Sequence, residues 1–207
     1  MAKEIYIGRF VAVGKTSGGE ILAGYRVSSR SFANRRIIQN GDQCSVVPVN
    51  ITEYSDNPYI SYNCLRRHGK IVVVTNGSQT DPIIEKIGQG YPIRDAMATS
   101  LLALDFEKDK YNTPRIACAV DWSNQSATMA IVMPEKLEVR GIELQPGQGY
   151  LVATYELTDP TTFEIKAGKV QDFADGLFGM EYTHPVCSLG ARILDDDLEV
   201  AIHNSQG

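Results

Sequence analysis

Two helical segments stand together in the middle of a chain that otherwise reads as strands, and that order narrows the fold more than any other feature. The first opens at Asp81-Pro82, with Asp as N-cap and Pro at the first helical position. It places Ile83, Ile84 and Ile87 on one face, and Gly88-Gln89-Gly90 breaks it. The second opens at Pro92 and repeats Ile93, Met97, Ser100, Leu101 and Leu104 at helical spacing. Helices segregated in this way, rather than alternating with strands, argue for an α+β fold with largely antiparallel sheets. The chain has 207 residues and shows no linker, repeat or low-complexity stretch. Residues 1–207 are therefore expected to form a single domain, two stacked sheets with helices outside.

The strand signals come in hairpins. Residues 5–7 and 10–13, then 21–27, flank the turn Ser17-Gly18-Gly19, and Gly8 and Gly14 mark close backbone approach or a bulge. Residues 36–39 and 45–49 flank Asn40-Gly41, and residues 59–63 and 70–75 turn near His68-Gly69. The β-branched run Ile71-Val72-Val73-Val74 reads as a central strand buried on both faces. Strands are expected again at 115–121, 127–133, 137–142 and 149–157, a short helix at 172–177, and closing strands at 191–194 and 198–202.

Composition excludes several classes. Hydrophobic residues make up 43% and charged residues 22%, an ordinary globular balance. No apolar run approaches the roughly 18 residues that span a bilayer, and Met1-Ala2-Lys3-Glu4 has no signal core, so a membrane protein is excluded and a soluble, cytoplasmic one expected. The net charge of −5 argues against a general nucleic-acid binder. Yet residues 21–80 hold seven basic groups (Arg26, Arg30, Arg35, Arg36, Arg66, Arg67, Lys70) against three acids, with no acid between Ile21 and Gly41. Such a cluster suits a small anionic ligand and is too small for a duplex backbone. Cys44, Cys64, Cys118 and Cys187 form no Cys-x-x-Cys, and His68, His184 and His203 are isolated, so no metal site is indicated.

Polar segments sit where strands end. Residues 28–36 combine hydroxyls, an amide and three Arg, a composition suited to a phosphate. In residues 57–64 alternation puts Tyr59, Ser61 and Asn63 on one face and Ile60, Tyr62 and Cys64 on the other. A Tyr there can move a proton only if its surroundings lower its pKa of about 10. Residues 76–81, Asn-Gly-Ser-Gln-Thr-Asp, lie between the buried strand and a helix N-terminus, where backbone N–H groups favour an anion. No Walker-type or Gly-x-Gly-x-x-Gly pattern follows a strand. The acid-rich run 105–109 stands where a helix should end, and acids there oppose the helix dipole at about 0.3–1 kcal/mol each. Carboxylates with a task make such a cost tolerable.

Taken together, Tyr6-Ile7-Gly8-Arg9-Phe10, residues 25–32, residues 57–63, residues 76–81 and residues 105–115 resemble the archaeal-type IMP cyclohydrolase family. The resemblance implies a four-layer αββα sandwich of two mostly antiparallel sheets, Ntn-hydrolase-like. It implies closure of 5-formamidoimidazole-4-carboxamide ribotide (FAICAR) to IMP with loss of water, the last step of de novo purine biosynthesis. Ntn hydrolases expose a Thr, Ser or Cys as a new N-terminus, whereas this chain begins Met1-Ala2-Lys3 with no evident cleavage site. Cyclohydrolase chemistry needs no such nucleophile, because the attacking nitrogen belongs to the substrate.

That chemistry nominates residues. One group must accept a proton from the carboxamide nitrogen, and one must donate a proton to the departing hydroxyl. Glu107 and Tyr59 are the proton-transfer candidates, with Asp105 as alternate. Asn76 and Tyr62 are expected to hold the carboxamide or formyl oxygen, and Ser29, Arg30, Arg35 and Arg26 the 5′-phosphate. Asn63, Gly77, Ser78 and Arg115 complete the expected substrate-binding set. No metal or redox cofactor is expected, and a homo-oligomer is. The rival readings are an amidohydrolase of the same fold with an internal nucleophile, and a non-enzymatic purine-nucleotide-binding protein.

Overall fold

The computed structural model describes residues 5–50, 61–166 and 168–205. Three hairpins open the chain: β1 (Phe10–Lys15) with β2 (Ile21–Ser28), β3 (Arg35–Asn40) with β4 (Gln43–Pro48), and β5 (Tyr62–His68) with β6 (Ile71–Thr75). Helices α1 (Thr80–Gly88) and α2 (Ile93–Leu104) follow. Then come β7 (Arg115–Asp121), β8 (Ser126–Met133), β9 (Lys136–Ile142), β10 (Gln148–Ala153), β11 (Thr161–Glu164), α3 (Val170–Gly179), β12 (Pro185–Leu194) and β13 (Asp197–Asn204). One sheet runs β11-β10-β1-β2-β12-β13, the other β3-β4-β5-β6-β7-β8-β9, and neighbouring strands pair antiparallel.

Burial explains the layering. Alternate residues of β1, β2 and β12 (Val11, Val13, Tyr25, Val27, Leu189) meet Val72, Val74, Ile116 and Cys118 of the facing sheet in one apolar core. The opposite face of the second sheet, with Val73, Ala117 and Ala119, is covered by Ile83, Ile87, Met97 and Leu101 of α1 and α2. The opposite face of the first, with Ala12 and Leu22, is covered by Val170, Phe173 and Leu177 of α3. The result is a four-layer αββα sandwich. β6 lies at the centre of its sheet, as its β-branched run requires, with Val72, Val73 and Val74 fully buried. Among the described residues no helix is long and apolar enough to cross a membrane.

Some boundaries differ from expectation. α1 begins at Thr80 rather than at an Asp81 cap, so Pro82 falls within the first turn, where its missing N–H has no intrahelical partner to lose. Residues 5–7 form no strand; Ile5 makes a single bridge to Tyr182. β10 stops at Ala153 instead of running to 157, and β11, a four-residue edge strand, gave no signal. α2 ends at Leu104, and Asp105, at φ 57°, turns the chain away. The acidic run therefore starts at the C-cap, Asp105, which accepts the Phe106 amide and pairs with Lys108, and its other acids lie beyond the helix.

α3 lies so close to its sheet that glycine is required beneath it. A Cβ at Gly190 would stand 2.8 Å from the Val170 carbonyl oxygen and 3.2 Å from the Ala174 nitrogen, both helix backbone. Gly190→Ala is expected to destabilise by about 1–3 kcal/mol through displacement of α3. Urea denaturation checks this; an unchanged midpoint would show that the helix yields freely.

Candidate active site

Antiparallel order brings three chain segments to one end of the first sheet's central strands. Phe10 pairs with both Arg26 and Ala153, so the start of β1 and the ends of β2 and β10 coincide. Their continuations, Gly8-Arg9, Ser28 to Phe32, and Thr154 to Glu156, line a cavity of about 570 Å³. The second sheet supplies Arg35 and the loop between α2 and β7, with Glu107, Asp109 and Thr113. Gly8 has φ +70°, and a Cβ there would meet Thr154 Oγ1 at 2.2 Å, so only glycine lets Arg9 enter at this point.

Glu107 sits at the inner wall, 2% exposed. Arg9 crosses between the sheets: its Nη2 donates to Glu107 Oε2 at 2.9 Å and its Nη1 to the Asn76 carbonyl at 3.0 Å. Burial pulls the Arg9 pKa down, but Glu107 and the Tyr62 and Tyr25 phenols more than offset it, so the guanidinium stays charged. Glu107 Oε1 is buried and has no hydrogen-bond partner among the described residues; Arg115 Nη1 lies 4.0 Å away. Arg115 is itself fixed by bonds to the Asp105 carbonyl and Gln79 Oε1. The carboxylate thus has one oxygen hydrogen-bonded by Arg9 and the other held only by the long ion pair with Arg115, an arrangement in which a carboxylate can serve as a proton acceptor.

The loop holding Glu107 is closed by its neighbours. The Glu107 amide donates to the Thr113 carbonyl at 2.8 Å. Asp109 Oδ1 accepts the Tyr111 and Thr113 amides, and its Oδ2 accepts the Thr113 hydroxyl at 2.7 Å. Burial pushes the Asp109 carboxyl up, yet these donors outweigh it and hold the carboxyl below the usual range. Toward the mouth, the Arg30 guanidinium stacks on the Tyr6 ring at 3.9 Å and Tyr6 stacks on Tyr155. Ser29 Oγ accepts the Phe32 amide, and Arg35 Nε donates to the Phe32 carbonyl, which shapes the basic loop.

The structure brings Glu107, Ser29, Arg30 and Arg35 to this one cavity, with Arg115 directly behind Glu107. It places the other nominated residues that it describes elsewhere. The Arg26 guanidinium is fully buried and donates to the Leu177, Met180 and Tyr182 carbonyls, where it closes the C-terminus of α3 instead of facing a phosphate. Asp105 does not line the cavity: it accepts the Phe106 amide and pairs with Lys108. Asn76 is buried and holds the Pro114 carbonyl and the Ile116 amide. Gly77 packs against Gln79 and Arg115. Tyr62, expected to hold a substrate oxygen, does not line this cavity: it is buried and bonds the Tyr25 hydroxyl at 2.8 Å. Tyr62, Asn63 and Ser78 border a separate hollow of about 300 Å³ beside Asp81. Tyr59 lies outside the described residues.

The sequence matches the family described as IMP cyclohydrolase-like protein over residues 6–197. The chain belongs to this family. It is 44% identical to an IMP cyclohydrolase of Methanocella arvoryzae over 97% of its own length and 98% of that protein. It is 45% identical to an IMP cyclohydrolase of Haloquadratum walsbyi over 89% of each, and 43% identical to one of Methanothrix thermoacetophila over 97% and 99%.

For an IMP cyclohydrolase-like protein the four cysteines are inert. All are buried, none lines the cavity, and burial pushes Cys44, Cys118 and Cys187 up to about 12. A cysteine nucleophile has no place in this site. Sequence reasoning missed Arg9, Asp109, Thr113 and Tyr155. Arg9 carried a usable signal, a lone cation between Gly8 and the apolar run of β1. Tyr155 carried none, because it read as the continuation of a strand.

Proposed function

We propose that this chain closes FAICAR to IMP with loss of water, the final step of purine biosynthesis, as a single 1–207 domain in the cytoplasm. The observation that carries the reading is Glu107: a buried carboxylate with one oxygen fixed by Arg9 and the other without a hydrogen bond among the described residues, lining a cavity that also holds Ser29, Arg30 and Arg35. The names of the archaeal relatives point the same way.

The chemistry follows from the arrangement. The carboxamide nitrogen attacks the formyl carbon, and the Glu107 carboxylate takes a proton from that nitrogen as the C–N bond forms. The former formyl oxygen becomes a hydroxyl with a proton from the second carrier, nominated as Tyr59, and that carrier takes back the former formamide N–H proton in the last step. Glu107 returns its proton as this hydroxyl leaves as water, and loss of the former formamide N–H completes the C=N bond. Holding the two substituents in near-attack geometry contributes roughly 7 kcal/mol or more. Arg30, Arg35 and Ser29, which share the cavity wall, are assigned to the 5′-phosphate.

Purified protein given FAICAR, without ATP or folate, is expected to develop the purine absorbance. A protein that binds IMP but leaves FAICAR unchanged would reduce the reading to nucleotide binding. Arg30→Ala is expected to raise KM on the order of tenfold or more for the ribotide, from loss of one charge-assisted bond, and little for the riboside. Equal losses on both would remove Arg30 from phosphate binding.

A further inference from the structure

Tyr155 belongs to a hydrogen-bonded chain whose direction is fixed. Its hydroxyl lies 2.7 Å from Thr113 Oγ1, which lies 2.7 Å from Asp109 Oδ2. Asp109 accepts two backbone amides as well and is held as a carboxylate, so it has no proton to give. The single Thr113 hydroxyl proton therefore points at Asp109, and the Tyr155 proton must point at Thr113. What Tyr155 presents to the cavity is its oxygen lone pairs. Stacking on Tyr6 holds the ring in place.

We propose that Tyr155 Oη is a hydrogen-bond acceptor that reads a ligand N–H, with Thr113 and Asp109 as positioning residues, so that the site selects a carboxamide over a carboxylate. The proposal rests on the purine ribotide reading above and extends it. A primary carboxamide has two N–H groups: Glu107 takes the proton of one, and Tyr155 orients the other. A carboxylate at the same place would set its oxygens against the Tyr155 lone pairs, and a buried acceptor facing an acceptor is unfavourable.

Binding separates the possibilities. Two probes serve, 5-aminoimidazole-4-carboxamide ribotide and the corresponding 4-carboxylate ribotide, titrated calorimetrically into the wild type and into Tyr155→Phe, Thr113→Val and Asp109→Asn. The wild type is expected to prefer the carboxamide by about tenfold or more. Tyr155→Phe should reduce that preference severalfold while keeping the Asp109 charge, the remainder coming from the Glu107 carboxylate. In Asp109→Asn the amide can donate to Thr113, the chain can reverse, and Tyr155 can donate to the carboxylate, so the preference should shrink or invert. A preference unchanged in Tyr155→Phe overturns the acceptor role and leaves the ribotide reading standing. Failure of both ribotides to bind the wild type overturns both.

Discussion

Glu107→Gln is expected to lower the ring-closure rate by about 10²–10⁴, the usual worth of a positioned general base, with KM changed far less. Gln keeps the shape of Glu and can keep an oxygen on Arg9 Nη2, so the substitution removes the proton acceptor more than it removes the architecture. It does leave the Arg9 charge without its counter-ion. Losing one partner of a buried pair can cost about 3–5 kcal/mol. Arg9 retains the Asn76 carbonyl and some solvent access, which places the loss at the lower end of that range. Rates should be measured well below the melting temperature of the variant and at saturating FAICAR. A kcat within about threefold of wild type would remove Glu107 from proton transfer, since a general base contributes far more than that.

Arg9 also shows what the sequence could and could not reveal. The layer order was legible because periodicity is local: the β-branched run 71–74, the Asn40-Gly41 turn and the isoleucine face of α1 each need only a few neighbouring residues. The cavity was legible where composition was unusual, in the acid-free basic loop of Ser29, Arg30 and Arg35, and in Glu107. It was illegible where a role depends on partners far along the chain. Arg9 meets Glu107 98 residues away, and Tyr155 meets Thr113 42 residues away. No spacing rule reports such pairs. Asn76 and Gly77 failed for a related reason: a polar segment before a helix serves capping and loop packing as well as ligands, and here Asn76 holds the start of β7.

Arg26 is the instructive error, because its residue type fits a phosphate site and its position does not. Alternation along β2 decides the matter. Tyr25 and Val27 face the other sheet, so Arg26 points to the opposite face, beneath the end of α3. There its Nη1 donates to the Leu177 and Met180 carbonyls at 3.1 and 2.9 Å, and its Nη2 to the Tyr182 carbonyl, while the guanidinium lies 5.7 Å from the centre of the Phe10 ring. Helix C-termini leave carbonyls without intrahelical donors, and a cation there also complements the dipole. Arg26→Ala strands these acceptors inside the protein and opens a void beside Phe10. The expected loss is on the order of 3–5 kcal/mol, a few charge-assisted bonds counted with less than full additivity. At about 2–4 °C per kcal/mol for a chain of this size, the melting temperature should fall by roughly 6–20 °C. Arg26→Lys should fall between wild type and Ala, since an ammonium cannot span three carbonyls as the planar fork does. In the folded fraction of either variant the KM for the ribotide should stay close to wild type. A variant that melts normally but loses ribotide affinity would return Arg26 to the phosphate site and contradict its placement under α3.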